Sequence, residues 1–106
     1  MLTPIQTRYA GHFFRSRLEA RWAVFFDAMG IAWEYEKEGY DLGDYEYFPE
    51  FEPNRKPEIW KLGYYLPDFW LPQVSMWAEV KGQSFTEIEN AKCVVLAHRT
   101  QHSVIY

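Results

Sequence analysis

The stretch from Leu66 to Gly82 reads LPDFWLPQVSMWAEVKG, two short apolar and aromatic runs joined by a connector that contains Pro72. Three ionisable residues, Asp68, Glu79 and Lys81, are embedded in these runs. Charged side chains cost several kcal/mol to place in a strand core unless they are paired or bind a metal. Their presence here predicts a polar site inside a sheet, and this site organises the rest of the chain.

The two runs are predicted to be strands, Gly63–Leu71 and Met76–Lys81, joined by a short hairpin connection. Residues two apart in a strand point to the same face of the sheet. Glu79 and Lys81 therefore project together, and the hairpin brings Asp68 beside Glu79.

The first helix is predicted from Arg17 to Met29. Ser16 followed by Glu19 has the form of a capping box, and Gly30 suits the end of a helix. Apolar residues recur at spacings of three and four, which predicts one apolar stripe along the helix: Leu18, Trp22, Phe25 and Met29.

Three further elements complete the order. Ile31–Glu36 is predicted to be a strand, and Thr86 with Glu89 has the capping-box form at the start of a helix that extends to about Arg99. Residues 104–106 are predicted to form a last short strand. The order is then α-β-β-β-α-β, an α/β (α+β) fold with a mixed central sheet flanked by helices, and its final strand-helix-strand unit implies a right-handed parallel crossover.

The remaining segments lack a clear period. Residues 1–14 are predicted to be irregular. Residues 37–61 are acidic and aromatic with several prolines, which predicts a long ordered loop with a short edge strand near Tyr40–Leu42. So long a connection is either functional or a surface for a partner. At 106 residues, the chain is expected to form a single domain, 1–106.

Composition bounds the class of protein. Cys93 is the only cysteine, which excludes an internal disulfide and favours a reducing compartment. No signal peptide is visible, and no apolar run approaches the roughly 20 residues of a membrane span. We therefore expect a cytoplasmic protein without membrane contact.

Charge is unevenly distributed along the chain. The net charge of −4 argues against general affinity for nucleic acid. Residues 27–58 hold ten acidic and three basic residues, whereas residues 1–21 hold four arginines and one glutamate. Arg15, Arg17 and Arg21 are candidates to contact backbone phosphates, and the alternative is that they are exposed helix charges facing the acidic segment.

The chemistry predicted for the central stretch is that of a metal-dependent phosphodiesterase. The Asp68 and Glu79 carboxylates and the Val80 carbonyl supply hard oxygen ligands that suit Mg²⁺ or Mn²⁺. Lys81 is placed to orient a metal-bound water or to stabilise developing phosphate charge, and Gly82 allows a nucleic-acid backbone to approach. The alternative is an aspartate at a strand end and an ordinary exposed Glu–Lys pair.

The stretch resembles the signature of the PD-(D/E)XK nucleases, the restriction-endonuclease-like superfamily. Pro67 and Asp68 match its first half, and Glu79, Val80 and Lys81 match its second half. The resemblance covers nearly the whole chain, including the order of elements. The layout RSRLE, WEYE, YLPDF and EVK is most similar to phage-type and transposon-associated endonucleases.

This resemblance implies roles for four residues. Asp68 and Glu79 would bind the metal, and Lys81 would serve the nucleophilic water. Glu19, on the first helix, would bind a metal directly or through water. The competing interpretation of Glu19 is that it only caps its own helix by reaching back to the Ser16 amide.

Two functions are therefore predicted. The first is a Mg²⁺- or Mn²⁺-dependent endodeoxyribonuclease of phage or mobile-element type, with DNA as substrate and a homodimer or a protein partner for targeting. The second is a non-catalytic binding or inhibitor protein on a nuclease scaffold, whose acidic surface binds a protein partner.

Overall fold

A computed structural model describes residues 7–47 and 56–106. Within these ranges the chain is an α+β protein with two helices and several small sheets. Its elements are, in chain order, β1 (Thr7–Tyr9), β2 (His12–Phe14), α1 (Arg17–Ala28), β3 (Glu34–Tyr35), β4 (Tyr40–Asp41), β5 (Asp44–Tyr47), β6 (Glu58–Lys61), β7 (Tyr64–Tyr65), β8 (Phe69–Leu71), β9 (Met76–Ala78), α2 (Glu87–Thr100) and β10 (Val104–Ile105).

The central sheet has four strands in the order β10-β9-β8-β3. Strand β8 pairs antiparallel with both β3 and β9, and β10 pairs parallel with β9. Across the β8–β9 hairpin, Trp70 lies opposite Trp77 and Phe69 opposite Ala78. The predicted mixed sheet and the order α1, β3, β8, β9, α2, β10 are confirmed, although other strands intervene between β3 and β8.

Each helix covers its own hydrophobic cluster. Seven buried residues join α1 and the N-terminal hairpin to one set of sheet residues: Phe14, Ala20, Ala23, Phe26, Phe69, Leu71 and Ala78. Five other buried residues pack together around α2, on the other face of the sheet: Leu42, Leu62, Trp77, Ala91 and Leu96. Because neighbouring strand residues point to opposite faces, Trp77 and Ala78 belong to different clusters, and the sheet lies between the helices.

Helix α1 begins where predicted, but the predicted apolar stripe does not form its buried face. The helix buries Glu19, Ala20, Ala23 and Phe26, whereas Trp22 and Met29 are 41% and 62% exposed. Two alanines at the contact allow the helix backbone to approach the sheet closely. Packing of small residues thus decides the orientation of the helix.

Helix α2 confirms the prediction at its start. Thr86 Oγ1 accepts a hydrogen bond from Glu89 N at 3.2 Å, and Thr86 N donates to Glu89 Oε1 at 2.9 Å. Both bonds of a capping box are therefore present. Gln101 ends the helix in the left-handed conformation.

The prediction that residues 1–14 are irregular was wrong for the described part. Strands β1 and β2 form an antiparallel hairpin, with Thr7 opposite Phe14. Its turn consists of Ala10 and Gly11, with φ of 49° and 82°. Two positive φ angles in succession are typical of a hairpin turn that matches the twist of the strands.

The predicted loop at 37–61 is also more regular than expected. The predicted edge strand is present as β4, which pairs with β7, and β5 and β6 form an antiparallel hairpin with Tyr45 opposite Trp60. Residues 48–55 of the predicted loop lie outside the described residues. The sequence of β5, DYEY, alternates polar and aromatic residues as a strand does.

The predicted strands of the central sheet are shorter in the structure. The segment Gly63–Leu71 is divided into β7 and β8, and the segment Ile31–Glu36 is reduced to β3. After β9 ends, Glu79 N still donates to Ile105 O at 2.8 Å, so the backbone stays beside β10 for one more residue. Neither described helix has the length and apolar character that crossing a membrane requires.

Candidate active site

Asp68 and Glu79 are held together by crossed hydrogen bonds at one end of the β8–β9 hairpin. Asp68 N donates to Glu79 Oε1 at 2.7 Å, and Val80 N donates to Asp68 Oδ2 at 2.8 Å. Asp68 is only 5% exposed. The predicted proximity of the two carboxylates is confirmed, and each one is fixed by the backbone beside the other.

This closeness changes the acidity of both groups. Burial and the neighbouring charge of Glu79 raise the pKa of Asp68 to about 8. Burial also raises the pKa of Glu79, against hydrogen bonds from Asp68 N and Tyr65 that lower it. The raised pKa values mean that the positive charge near these two carboxylates is too small to offset their burial. Ionisable groups with such shifted pKa values concentrate at functional sites.

Arg15 is the cation that contacts this pair. Its Nη2 lies 3.5 Å from Asp68 Oδ1, and its Nε lies 2.6 Å from Glu36 Oε1. Its backbone N donates to Tyr35 Oη at 3.1 Å. Arg15 was predicted either to contact phosphate or to be an exposed charge facing the acidic segment. The structure pairs it with Glu36 of that segment and also places it at the carboxylates, with its side chain still 56% exposed.

Glu19 faces the interior of the protein. Its backbone N donates to Ser16 Oγ at 3.2 Å, but its carboxylate accepts a hydrogen bond from Tyr35 Oη and is part of a residue only 9% exposed. Among the described hydrogen bonds, none runs from Ser16 N back to Glu19. The charge of Glu19 contributes to raising the pKa values of Asp68 and Glu79, so the three acids share one electrostatic environment.

Lys81 contacts a different acid from those predicted. Its Nζ forms a salt bridge with Glu89 in the first turn of α2, and it lies 5.7 Å from the centre of the Phe85 ring. Lys81 and the Thr86 backbone lower the pKa of Glu89 to about 2. In the described parts of the chain Lys81 makes no ion pair with Asp68 or Glu79, so Glu89 determines where its amino group lies.

Two tyrosines support the carboxylates, a role that was not predicted from the sequence. Tyr35 donates to Glu19, and Tyr65 hydrogen-bonds Glu79 and lies 4.0 Å from Cys93 Sγ. Burial is the main reason that the pKa values of both tyrosines are raised. Burial likewise raises the pKa of the Cys93 thiol, to about 11. The available signal was that each tyrosine lies in a stretch of the layout that resembles the nucleases, Tyr35 in WEYE and Tyr65 in YLPDF.

The other predicted nucleic-acid contacts are separate from Arg15. Arg17 and Arg21 line a cavity of about 360 Å³, together with Arg8. Within the two described ranges neither Arg17 nor Arg21 has a salt bridge. Gly82 is exposed, its φ is not in the left-handed region, and an added Cβ would meet only Leu18 Cδ2 at 3.7 Å, so no feature of the fold requires glycine there.

Comparison with known proteins does not extend this picture. No family model, no curated protein and no solved structure matches the chain. The chemistry of the site is therefore inferred from the contacts of its own residues.

A divalent cation suits part of this residue set. No group of three or more His, Cys, Asp or Glu side chains within residues 7–47 and 56–106 is arranged to hold a metal ion. Of the predicted donors, the Asp68 and Glu79 carboxylates are brought together, and Val80 contacts Asp68 through its backbone N–H. Mg²⁺ is commonly held by one or two carboxylates and completes its shell with water and substrate phosphate. A cation here would also offset the two buried negative charges.

Proposed function

We propose that this chain is a metal-dependent endodeoxyribonuclease that hydrolyses DNA phosphodiester bonds. The single observation that carries the proposal is the buried Asp68–Glu79 pair, fixed by crossed hydrogen bonds and short of positive charge. A restriction-endonuclease-like core of the PD-(D/E)XK type is part of the same proposal. Its support is the order of α1, the three strands, α2 and β10, with Asp68 directly before β8 and Glu79, Val80 and Lys81 directly after β9.

The proposed cofactor is Mg²⁺ or Mn²⁺. Asp68, Glu79 and the Val80 carbonyl would hold it, and Glu19 would take part directly or through a water. When bound, the cation supplies a Lewis acid for the phosphate and an acidified water as nucleophile. The crossed hydrogen bonds hold the carboxylates in place before the cation arrives, so little reorganisation opposes binding.

Lys81 and Arg15 are the two cationic side chains in this proposal. Both are held by acids outside the Asp68–Glu79 pair, Lys81 by Glu89 and Arg15 by Glu36. Lys81 would orient the attacking water or stabilise charge on the phosphate. Arg15, whose guanidinium is suited to two phosphate oxygens, would exchange its long contact with Asp68 for the substrate.

DNA is proposed to approach over the start of α1. Arg17 and Arg21 extend the positive charge of Arg15 along the helix, and Gly82 leaves open space beside Leu18. The net charge of −4 does not favour DNA elsewhere on the surface. Targeting would then depend on a second copy of the chain or on a protein partner.

A plasmid-nicking assay tests the proposal. Wild type is compared with Asp68→Asn and Lys81→Ala in Mg²⁺, in Mn²⁺ and in EDTA, with Asp44→Asn as an exposed control acid. Cleavage should require metal and fall at least about 100-fold in Asp68→Asn, because even residues that only support metal ligands account for about 10- to 100-fold effects. Asp44→Asn should cleave like wild type.

Calorimetric titration with Mn²⁺ provides a readout independent of cleavage. Asp68→Asn should lose binding that Asp44→Asn retains. Metal-dependent nicking that survives both Asp68→Asn and Lys81→Ala would show that the site has been assigned to the wrong residues. Absence of nicking on supercoiled, linear and single-stranded DNA would refute the nuclease proposal itself.

A further inference from the structure

A groove with one aromatic wall lies between the β5–β6 hairpin and α2, on residues that the proposed nuclease site does not use. It encloses about 220 Å³ and is lined by Tyr45, Trp60, Glu87, Asn90, Ala91 and Val94. We call it the aromatic groove. The shape and charge of this groove determine which ligands it can bind.

The two walls follow from the local structure. Tyr45 and Trp60 are directly paired across the hairpin, so their rings stand on the same face, with centroids 6.0 Å apart and planes inclined at 41°. The four α2 residues that line the groove are spaced by three, one and three, which places them on one face of the helix. Val94 in this wall is 57% exposed.

The charge of the aromatic groove is negative. Glu87 is exposed and lines it directly, and none of the six lining residues that the structure describes is Lys or Arg. Glu58 accepts a hydrogen bond from Trp60 Nε1 at 3.3 Å, which places a second carboxylate beside the indole ring. Asp44, Glu46 and Lys61 also lie on this hairpin, but they alternate with Tyr45 and Trp60, so their side chains point to its other face. An anionic ligand such as a nucleic-acid backbone would be repelled here.

Aromatic faces combined with carboxylates select cations. A guanidinium or ammonium group over a Trp or Tyr ring is attracted by the ring quadrupole, and carboxylates at the rim add charge-assisted hydrogen bonds. The volume lies below the roughly 300–1,000 Å³ of pockets for small-molecule ligands. It suits a single long side chain, and the flat guanidinium of arginine stacks on aromatic rings better than the compact ammonium of lysine.

We propose that the aromatic groove binds an arginine side chain presented by a basic segment of a partner protein. Tyr45 and Trp60 would hold the guanidinium by stacking, Glu87 would pair with it, and Val94 would contact the aliphatic part of the side chain. The proposal does not depend on nuclease activity, since the groove shares no residue with the carboxylate pair. It assigns a recognition role to the surface between the β5–β6 hairpin and α2.

Fluorescence anisotropy with labelled peptides tests this inference. The probe is a Gly-Gly-Arg-Arg-Arg-Gly-Gly peptide, compared with versions in which lysine or glutamine replaces each arginine. Glu87→Gln removes the lining charge and Val94→Lys places a like charge in the groove. Glu34→Gln and Val24→Lys make the same chemical changes at exposed positions outside it; Val24 is 46% exposed.

The arginine peptide should bind more tightly than the lysine peptide, and the glutamine peptide should not bind. Glu87→Gln should weaken arginine-peptide binding about tenfold, the loss expected for one hydrogen bond to a charged group. Val94→Lys should weaken it to a similar extent through repulsion between like charges. The two control variants should bind within about twofold of wild type, a difference of less than about 0.5 kcal/mol. Equal affinity for arginine and glutamine peptides, no binding of the arginine peptide, or equal weakening by groove and control variants would each overturn the inference.

Discussion

The two helices begin with the same pattern, a hydroxyl residue followed three positions later by glutamate, and the two glutamates have different surroundings. At α2, Glu89 completes the capping box with Thr86 and pairs with Lys81 at the surface. At α1, Ser16 caps the helix but the Glu19 carboxylate is buried against Tyr35. A glutamate at this position caps its helix when no neighbouring element competes for it, and a tyrosine from an adjacent strand is such a competitor.

The difference extends to acidity. Lys81 and the Thr86 backbone lower the pKa of Glu89 to about 2, so its negative charge stabilises the fold. Near α1 the opposite holds, because the Asp68 and Glu79 carboxylates that share the electrostatic environment of Glu19 have raised pKa values. The charge of Glu89 at the start of α2 therefore stabilises the fold, whereas the charged forms of Asp68 and Glu79 near α1 are disfavoured by burial and by neighbouring acids.

The largest expected effect concerns cleavage by variants of the two glutamates. Glu19→Gln should reduce metal-dependent nicking by about 10- to 100-fold, the range for residues that ligate a metal through water or support its ligands. Glu89→Gln should reduce nicking less than Glu19→Gln does, because in the proposed site Glu89 would act only through its ion pair with Lys81. Initial rates at saturating Mg²⁺ measure both. A greater loss in Glu89→Gln would reverse the roles assigned to the two helix starts.

The second expected effect is a pH-dependent change in stability of the metal-free protein. The folded-state pKa of Asp68, about 8, lies above its ordinary value of 3.8, so the folded state binds more protons between these values. Stability should therefore fall as pH rises from about 4 to about 8. Asp68→Asn should be more stable than wild type at pH 8, by more than about 1 kcal/mol, and the gain should vanish near pH 4.

Urea denaturation in EDTA at several pH values makes this measurement. Glu89→Gln provides the comparison with opposite sign: the pKa of Glu89 is lowered, so its contribution is present above its ordinary value of 4.5 and is lost as pH falls toward about 2. Added Mn²⁺ should remove the advantage of Asp68→Asn. A wild-type stability that does not change between pH 4 and pH 8 would contradict the raised pKa.

A third, smaller effect is expected from the tyrosine that binds Glu19. Tyr35→Phe removes the hydroxyl that donates to Glu19 and accepts from Arg15 N. Nicking should fall by about tenfold, the lower end of the range for a supporting hydrogen bond. Tyr40→Phe is the matched control, since Tyr40 also donates to a carboxylate, that of Glu38, at 3.1 Å on the surface. Equal nicking activity in Tyr35→Phe and Tyr40→Phe would show that Tyr35 has no role in the proposed site.

The smallest effect concerns the caps themselves. Thr86→Ala should lower the free energy of unfolding by about 1 kcal/mol, the usual loss for an N-cap. Ser16→Ala should cost a similar amount, because in each helix the substituted hydroxyl accepts one hydrogen bond, from Glu89 N in α2 and from Glu19 N in α1. Thermal and urea denaturation at pH 7 compare the variants. A larger loss for Ser16→Ala would mean that the α1 cap also holds Glu19 against Tyr35.

The core order was predictable because each of its elements has a local signal. Ser16 and Thr86 start the helices, Pro72 lies in the connection of the central hairpin, and the embedded acids identify the strands beside it. The position of Asp68 beside Glu79 followed from the hairpin alone. These predictions needed only neighbouring residues and the two-residue period of a strand.

The parts that were missed depend on contacts between distant residues. The β5–β6 hairpin pairs residues on either side of a proline-containing segment, and the hydrogen bond from Tyr35 to Glu19 joins residues sixteen positions apart. The predicted stripe with Trp22 failed because α1 packs through Ala20 and Ala23. Periodicity identifies an apolar face, but the fit of side-chain volumes decides which face is buried.

The crossed hydrogen bonds at the end of the β8–β9 hairpin have a consequence for spectroscopy. The amide protons of Asp68 and Val80 each point at a carboxylate oxygen of the pair, at donor–acceptor distances of 2.7 and 2.8 Å. Amide chemical shifts respond to the charge on such an acceptor. Two assigned peaks in a ¹H–¹⁵N correlation spectrum would therefore report protonation of the two carboxylates. The same peaks would report binding of a diamagnetic cation such as Mg²⁺, without substrate and without a label on the side chains.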